Sequence, residues 1–234
     1  MKRQPLGGQV QGAPAPHGCP RPAGQRASLT RQRIVEAALQ IIDAEGLEAL
    51  SMRHLGSQLG VEAMAIYHHF LNKEAVLDAV LGHVLGDGED LGSCLEGACA
   101  GWEERLRLIW VRFRDRFRQH PNALPLVFTH QVLGTRDLVQ TEMLLSALFD
   151  AGLPARRVVD AWRALGAYVI GYLSVEALLA GRPQGAPDAD RRPADLERFP
   201  AWQRVLPHLD RGWDEQFASA LSMVLEGIRA SVRR

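Results

Sequence analysis

The segment LSMRHLGSQLGVEAMAIYHHFLNK, Leu50 to Lys73, reads as two short helices joined by a tight turn at Gly60. Leu55, Leu59, Val61 and Ile66 fall where a helix-turn-helix buries its inner face. Gly56 sits where the first helix must let the second come close, because a larger side chain would hold the two apart. Gly60 follows the last apolar residue of the first helix, where a left-handed backbone is needed at low steric cost. Ser51 stands directly before that helix as an N-cap, its hydroxyl able to accept from a backbone N–H that has no partner within the helix. The second helix, about Glu62 to Phe70, is then the element that such a motif places in a DNA major groove.

Helices flank the motif on both sides. Upstream, Ser28 or Thr30 can cap SLTRQRIVEAALQIIDAEG, in which Ile34, Ala37, Ala38, Ile41 and Ile42 form a stripe and Gly46 ends the run. Downstream, Asn72 can cap a helix carrying Val76, Leu77, Val80, Leu81 and Val84. Together they predict a small helical domain over residues 28–86, with a core thin enough to need support from a neighbour.

The chain has 234 residues, 47% apolar and 23% charged, with 27 basic and 27 acidic residues. That balance is ordinary for a globular protein, so bulk charge gives no argument for nucleic acid. The distribution is more telling. Lys2, Arg3, Arg21, Arg26, Arg31 and Arg33 open the chain with no acidic residue before Glu36, an arm suited to attracting phosphate. Residues 1–27 are rich in Gly and Pro and poor in large apolar side chains, and read as a disordered tail. No apolar run reaches membrane-span length, and the basic start leads into no signal-peptide core. Cys19, Cys94 and Cys99 make no disulfide framework and suit a reducing cytoplasm.

The pattern R-x-x-I-x-x-A-A-L-x-I-I-x-x-x-G from Arg31, followed by L-S-M-R-x-L-G-x-x-L-G-V and A-I-Y-H-H-F-x-N-K, resembles the N-terminal domain of the TetR family of transcriptional regulators. The likeness runs from about Thr30 to Leu81. It implies an all-α homodimer with two N-terminal DNA-binding heads and a larger C-terminal helical domain that binds a small molecule and dimerises. By position within that pattern, Arg53 is the candidate for a guanine contact, since its fork matches O6 and N7. Glu62, Ala63, Met64 and Ala65 occupy the leading end of the recognition helix, where the three apolar residues offer only contacts such as one to a thymine methyl. Arg53, Glu62 and His68 are left to supply hydrogen-bond readout. Tyr67, His69 and Lys73 match phosphate-gripping positions, with the Ser51 hydroxyl beside them.

Gly86 to Ser93 reads as a polar linker, and residues 93–234 as the second domain. Trp102, Leu106, Ile109, Trp110, Phe113 and Phe117 recur at helical spacing up to His120-Pro121, and the arginines at 105, 107, 112, 114, 116 and 118 read as the solvated face of that helix. A short helical segment over Leu124–Leu133, a helix over Leu138–Ala151 and a long one from Pro154 to about Leu179 follow. A Pro-rich loop over 181–200, a short piece to Leu209 and a last helix over Asp210–Arg234 complete the chain. This arrangement also resembles, more loosely, the C-terminal domain of the tetracycline-repressor branch. Neither tetracycline nor its magnesium ion carries over, because the polar pocket residues do not line up.

The family implies a ligand cavity. The candidates to line it are Trp110, Phe113, Phe117, Phe128, Met143, Trp162, Tyr168 and Tyr172, with His130, Gln131 and Gln140 as polar members; any one of the aromatics can equally be plain core. Helices 154–179 and 210–234 carry Gly166, Ala167, Gly171, Ala218, Ala220 and Gly227 beside large apolar residues, which suits a four-helix bundle between two subunits. The expected partners are a pseudo-palindromic double-stranded operator, an unidentified small-molecule effector that releases it, and a second copy of the chain.

No hydrolase elbow, zincin motif, phosphate loop or dinucleotide fingerprint is present, so the chain does not read as an enzyme. Cys94, Cys99 and His83 lack the spacing and the fourth ligand of a zinc site, and no cofactor is assigned. The competing reading is a helical small-molecule binder without sequence-specific DNA binding, kept open by the apolar Ala63-Met64-Ala65 face.

Overall fold

The computed structural model describes residues 28–86, 101–129, 135–179, 198–209 and 211–232. The basic tail, Cys94, Cys99, His130, Gln131 and most of the 181–200 loop lie outside those residues. The described residues form helices and 3-10 turns, with no strand among them.

Helix α1 (Arg31–Glu45) starts at Thr30, whose hydroxyl accepts from the Arg33 N–H at 3.2 Å. Its stripe of Ile34, Ala38, Ile41 and Ile42 is at most 1% exposed and packs on α4 (Lys73–Leu85). Between them lie α2 (Met52–Leu59) and α3 (Ala63–Tyr67). The recognition helix is therefore shorter than the expected Glu62–Phe70. Arg31 explains where it stops. Its guanidinium donates to the His69 carbonyl and lies 4.0 Å from the centre of the Phe70 ring. The chain turns away from helix there, and Phe70 enters the core at 2% exposure.

Helix α4 is capped by Asn72, whose Oδ1 accepts from the Ala75 N–H at 2.8 Å. Val76, Leu77, Val80, Leu81, Val84 and Leu85 are all buried, more than one helical face requires. The reason is position. One side packs on α1 and the other on α5 (Trp102–Gln119), α6 (Leu126–Thr129) and α7 (Thr135–Asp150) of the second domain. A helix apolar nearly all round is one enclosed by protein.

In that second domain α5 packs against α7 and α8 (Ala155–Leu179), and α8 packs in turn against α10 (Trp213–Val232). The short α9 (Pro200–Val205) begins with Pro at its first position, where a missing N–H costs nothing. The last helix is thus shorter than 210–234, and Pro200 belongs to a helix rather than to the loop. No helix of the described residues is long and apolar enough to cross a membrane.

Arg112 and Arg118 of α5 are exposed as expected, but Arg114 departs from the solvated face. Arg114 is only 5% exposed and forks onto Glu176 of α8 at 2.9 and 2.7 Å, with Asp214 of α10 at 2.8 Å. Burial alone would lower the Arg114 pKa, but hydrogen bonds to Glu176 and Asp214 outweigh it and hold the guanidinium above its ordinary value. Arg118 bridges the same two carboxylates, Arg105 pairs with Asp150, and Arg107 donates to the Ser222 hydroxyl at 2.8 Å. These side chains tie α5 to α7, α8 and α10.

Candidate nucleic-acid interface and ligand cavity

The head presents α3 because α2 and α3 cross at a glycine. A Cβ on Gly56 would sit 2.9 Å from the Val61 carbonyl oxygen and 3.2 Å from the Ala63 nitrogen, both backbone atoms that cannot move aside. Gly60 makes the turn at φ 67° and ψ 32°, the left-handed region, and the Val61 N–H returns to the Gly56 carbonyl at 2.9 Å. Ser51 caps α2, its hydroxyl accepting from the His54 N–H at 3.1 Å.

On this frame Ser51, Arg53, Glu62, Met64, Tyr67 and His68 are exposed, while Ala63, Ala65, His69 and Lys73 are half-buried. Met64 stands out at 65% exposure and Tyr67 at 43%, although both are large and apolar enough to be buried. Their neighbour Ile66 points inward at 0% and anchors the helix. Glu62 precedes α3 without using its carboxylate as a cap, so the first N–H groups of that helix are not met by it. Lys73 opens α4, beside its N-terminal N–H groups, an electrostatic setting that favours an anion.

The second site lies where α4 meets the larger domain. A cavity of about 640 Å³ is walled by Leu81 and Leu85 of α4, Trp110 and Phe113 of α5, Phe128 of α6, Gln140 and Thr141 of α7, and Trp162, Arg163, Gly166, Ala167 and Ile170 of α8, among others. Trp110 and Phe113 meet edge to face at 5.5 Å. Gln140 spans the domain boundary, its amide N–H groups donating to the Leu85 carbonyl at 2.6 Å and the Gly86 carbonyl at 3.1 Å. These carbonyls close α4, where a helix has no internal donors left.

Of the residues expected to line a cavity, the structure brings Trp110, Phe113, Phe128, Gln140 and Trp162 together. Phe117, Met143, Tyr168 and Tyr172 lie elsewhere. Phe117 is 1% exposed and belongs to the core, and Met143 packs against the buried core. Tyr168 and Tyr172 turn toward α10, where their hydroxyls donate to the carbonyls of Phe217 at 2.8 Å and Trp213 at 2.7 Å. Burial there pushes both phenols up to about 12. Gly166 and Ala167 also line this cavity. The sequence reading missed Arg163 and Thr141 as polar members and α4 as part of the wall. A charged residue inside the apolar run AWRALGAYVIGYL was the signal for the first.

A second link joins the two domains. The Nδ1 of His120 lies 2.8 Å from the Asp43 carboxylate, and the Asn122 amide donates to the Asp43 carbonyl at 3.0 Å. The C-terminal end of α1 is thereby held to the turn that follows α5.

A family model for bacterial regulatory proteins of the tetR family matches residues 34–80, and one for the tetracyclin repressor-like C-terminal domain matches residues 98–232. The chain belongs to the TetR family. Members of that family, and the relatives of this chain, are transcriptional regulators rather than enzymes. This TetR-family chain is 31% identical to the HTH-type transcriptional repressor DrrR1 of Streptomyces coeruleorubidus, over 80% of its own length and 66% of that protein's. Its fold is similar to that of the Streptomyces coelicolor TetR-family protein ActR in complex with actinorhodin. The TM-score is 0.71 and the identity 25%, covering 89% of this chain and all of that one. It is also similar to BioQ bound to its double-stranded DNA operator, with a TM-score of 0.58 and 25% identity, covering 87% of this chain and 99% of that one.

Proposed function

We propose that this TetR-family chain is a ligand-responsive repressor that binds a pseudo-palindromic operator as a homodimer and is released by a small apolar or amphipathic molecule. The helix-turn-helix with its exposed Arg53, Met64, Tyr67 and His68 supports the DNA half of this reading. Arg53, Glu62 and His68 read base edges, Ala63, Met64 and Ala65 make apolar contact, and Ser51, Tyr67, His69 and Lys73 hold phosphate. A gene regulator of this kind works in the cytoplasm, on the DNA it controls.

The observation that carries the ligand half is the double role of α4. Its first turn bears Lys73 beside the recognition helix, and its last turn puts Leu81 and Leu85 into the cavity wall. A molecule filling the cavity packs against those leucines, and any tilt of α4 turns the head. With two heads held by one dimer, a small rotation of each alters their spacing, which must match half-sites about one helical turn or more apart. The ligand shifts the equilibrium by no more than its differential affinity for the two arrangements. Dimerisation is assigned to α8 and α10. Their outer surfaces expose Val175, Leu178 and Met223 with Gly171 and Gly227, and α10 leaves a groove against α8 beside Ala164 and Val224.

The test is a polarisation assay with a labelled duplex from the DNA flanking the chain's own coding sequence, to which polycyclic aromatic compounds are added. A compound that binds the protein by calorimetry and dissociates the duplex is the expected result. Compounds that bind the cavity while leaving DNA affinity unchanged would refute the coupling.

A further inference from the structure

The cavity is apolar with one exception that carries a charge. Arg163 lies on α8 in the wall with Trp162, Gly166 and Ile170, and the aromatic pair Trp110 and Phe113 lines the same cavity. Elsewhere in this domain Arg105, Arg114, Arg118 and Arg229 each meet a carboxylate. Among the described residues Arg163 meets none. Arg163 is exposed at the rim of the cavity, where an occupant strips part of its hydration, and an anionic partner offsets that loss most fully. A neutral occupant leaves the charge without one. A cationic occupant is repelled.

The two other polar groups define what else the occupant carries. Both hydrogen bonds of the Gln140 amide nitrogen go to the end of α4, which leaves its Oε1 as an acceptor. The Thr141 hydroxyl donates or accepts. The volume of about 640 Å³ lies within the range of small-molecule sites, and four aromatic side chains favour flat rings.

We propose that Arg163 selects the effector's chemical class, an amphipathic polycyclic aromatic acid. Its carboxylate or ionised phenol pairs with Arg163, and a ring hydroxyl donates to Gln140 Oε1. The fork of Arg163 matches a planar carboxylate through two parallel hydrogen bonds, which a lysine would not reproduce. This inference rests on the cavity being the effector site.

The probes are anthraquinone-2-carboxylic acid and its amide, which share size and shape and differ in charge. Each is titrated by calorimetry into the full chain and into R163Q and R163K, with circular dichroism confirming the fold of each variant. The expected result is an acid bound at least about tenfold more tightly than the amide by the parent chain, a charge-assisted pair contributing more than about 1.4 kcal/mol. In R163Q that ratio falls close to one, chiefly through loss of acid affinity, and R163K keeps part of the preference. If both compounds bind the parent chain equally, or the acid preference survives in R163Q, the assignment of Arg163 is overturned while the cavity stands as a binding site. If neither compound binds, the cavity reading fails and this inference with it.

Discussion

The side-chain amide of Gln140, on α7, donates to the Leu85 carbonyl at the end of α4 at a distance of 2.6 Å. It is a hydrogen bond between the two domains, and both of its partners also line the cavity. Q140L keeps the bulk and removes the bond. The variant should lose about 1–3 kcal/mol of stability, since it also loses the bond to the Gly86 carbonyl. The effect of a cavity ligand on DNA affinity, typically about 5–150-fold in coupled systems, should shrink by several-fold. Ligand affinity without DNA is measured separately by calorimetry, and a variant with undiminished coupling would show that the signal travels elsewhere.

Gly56 allows α2 and α3 to meet, and alanine there would press a methyl group against backbone atoms at 2.9 and 3.2 Å. G56A should destabilise the head by about 1–3 kcal/mol, the usual cost of overpacking, and abolish operator binding. Ligand binding should weaken less than operator binding, because α4 supplies Leu81 and Leu85 to the cavity wall and the larger domain supplies the rest. Separate thermal transitions for head and core in calorimetry would display the selective loss.

Tyr67 and Lys73 are assigned to phosphate, Arg53 to a base. Y67A and K73A should weaken binding to every duplex and each reduce the salt slope of log K by about one. R53A should instead relax the preference at one base pair per half-site, by about 1–3 kcal/mol. Titrations over a range of salt with single-substitution operators separate the two behaviours.

Arg114 and Glu176 are both nearly buried, at 5% and 7% exposure. E176Q leaves a desolvated guanidinium with Asp214 as its remaining partner, so the loss should fall at the lower end of about 3–5 kcal/mol. Replacing both by methionine should recover much of that loss, because a packed apolar pair needs no desolvation. Denaturant midpoints for E176Q and the double variant test this.

Tyr168 and Tyr172 have folded pKa values raised from 10.0 to about 12, chiefly by burial. A raised value means that the folded state holds its protons more tightly. Their contribution to stability is complete below pH 10 and is lost as the pH rises through 10 toward 12. Thermal midpoints should fall over that window, and fall less steeply in Y168F and Y172F.

The head was largely legible in the sequence because its determinants are local. Ser51, Gly56 and Gly60 each act on backbone within a few residues, and their types name their roles. The end of α3 was not legible, since Arg31 reaches it from 38 positions away. In the larger domain, helical spacing announced amphipathic helices without saying what each face meets. Trp162 and Tyr168 are both aromatic and on one helix, yet they point about 120° apart at 3.6 residues per turn. One lines the cavity and the other packs on α10. Arg114 read as solvated because charge usually is, and only the opposing Glu176 and Asp214 make its burial tolerable.

The most direct test of the regulator assignment is to incubate the purified chain with fragmented DNA of its source genome at moderate salt and sequence what it retains. Retained fragments should share an inverted repeat, placed upstream of coding sequences and protected as two half-sites. Retention that follows fragment length alone, with no shared motif and complete loss at higher salt, would contradict sequence-specific recognition by this head.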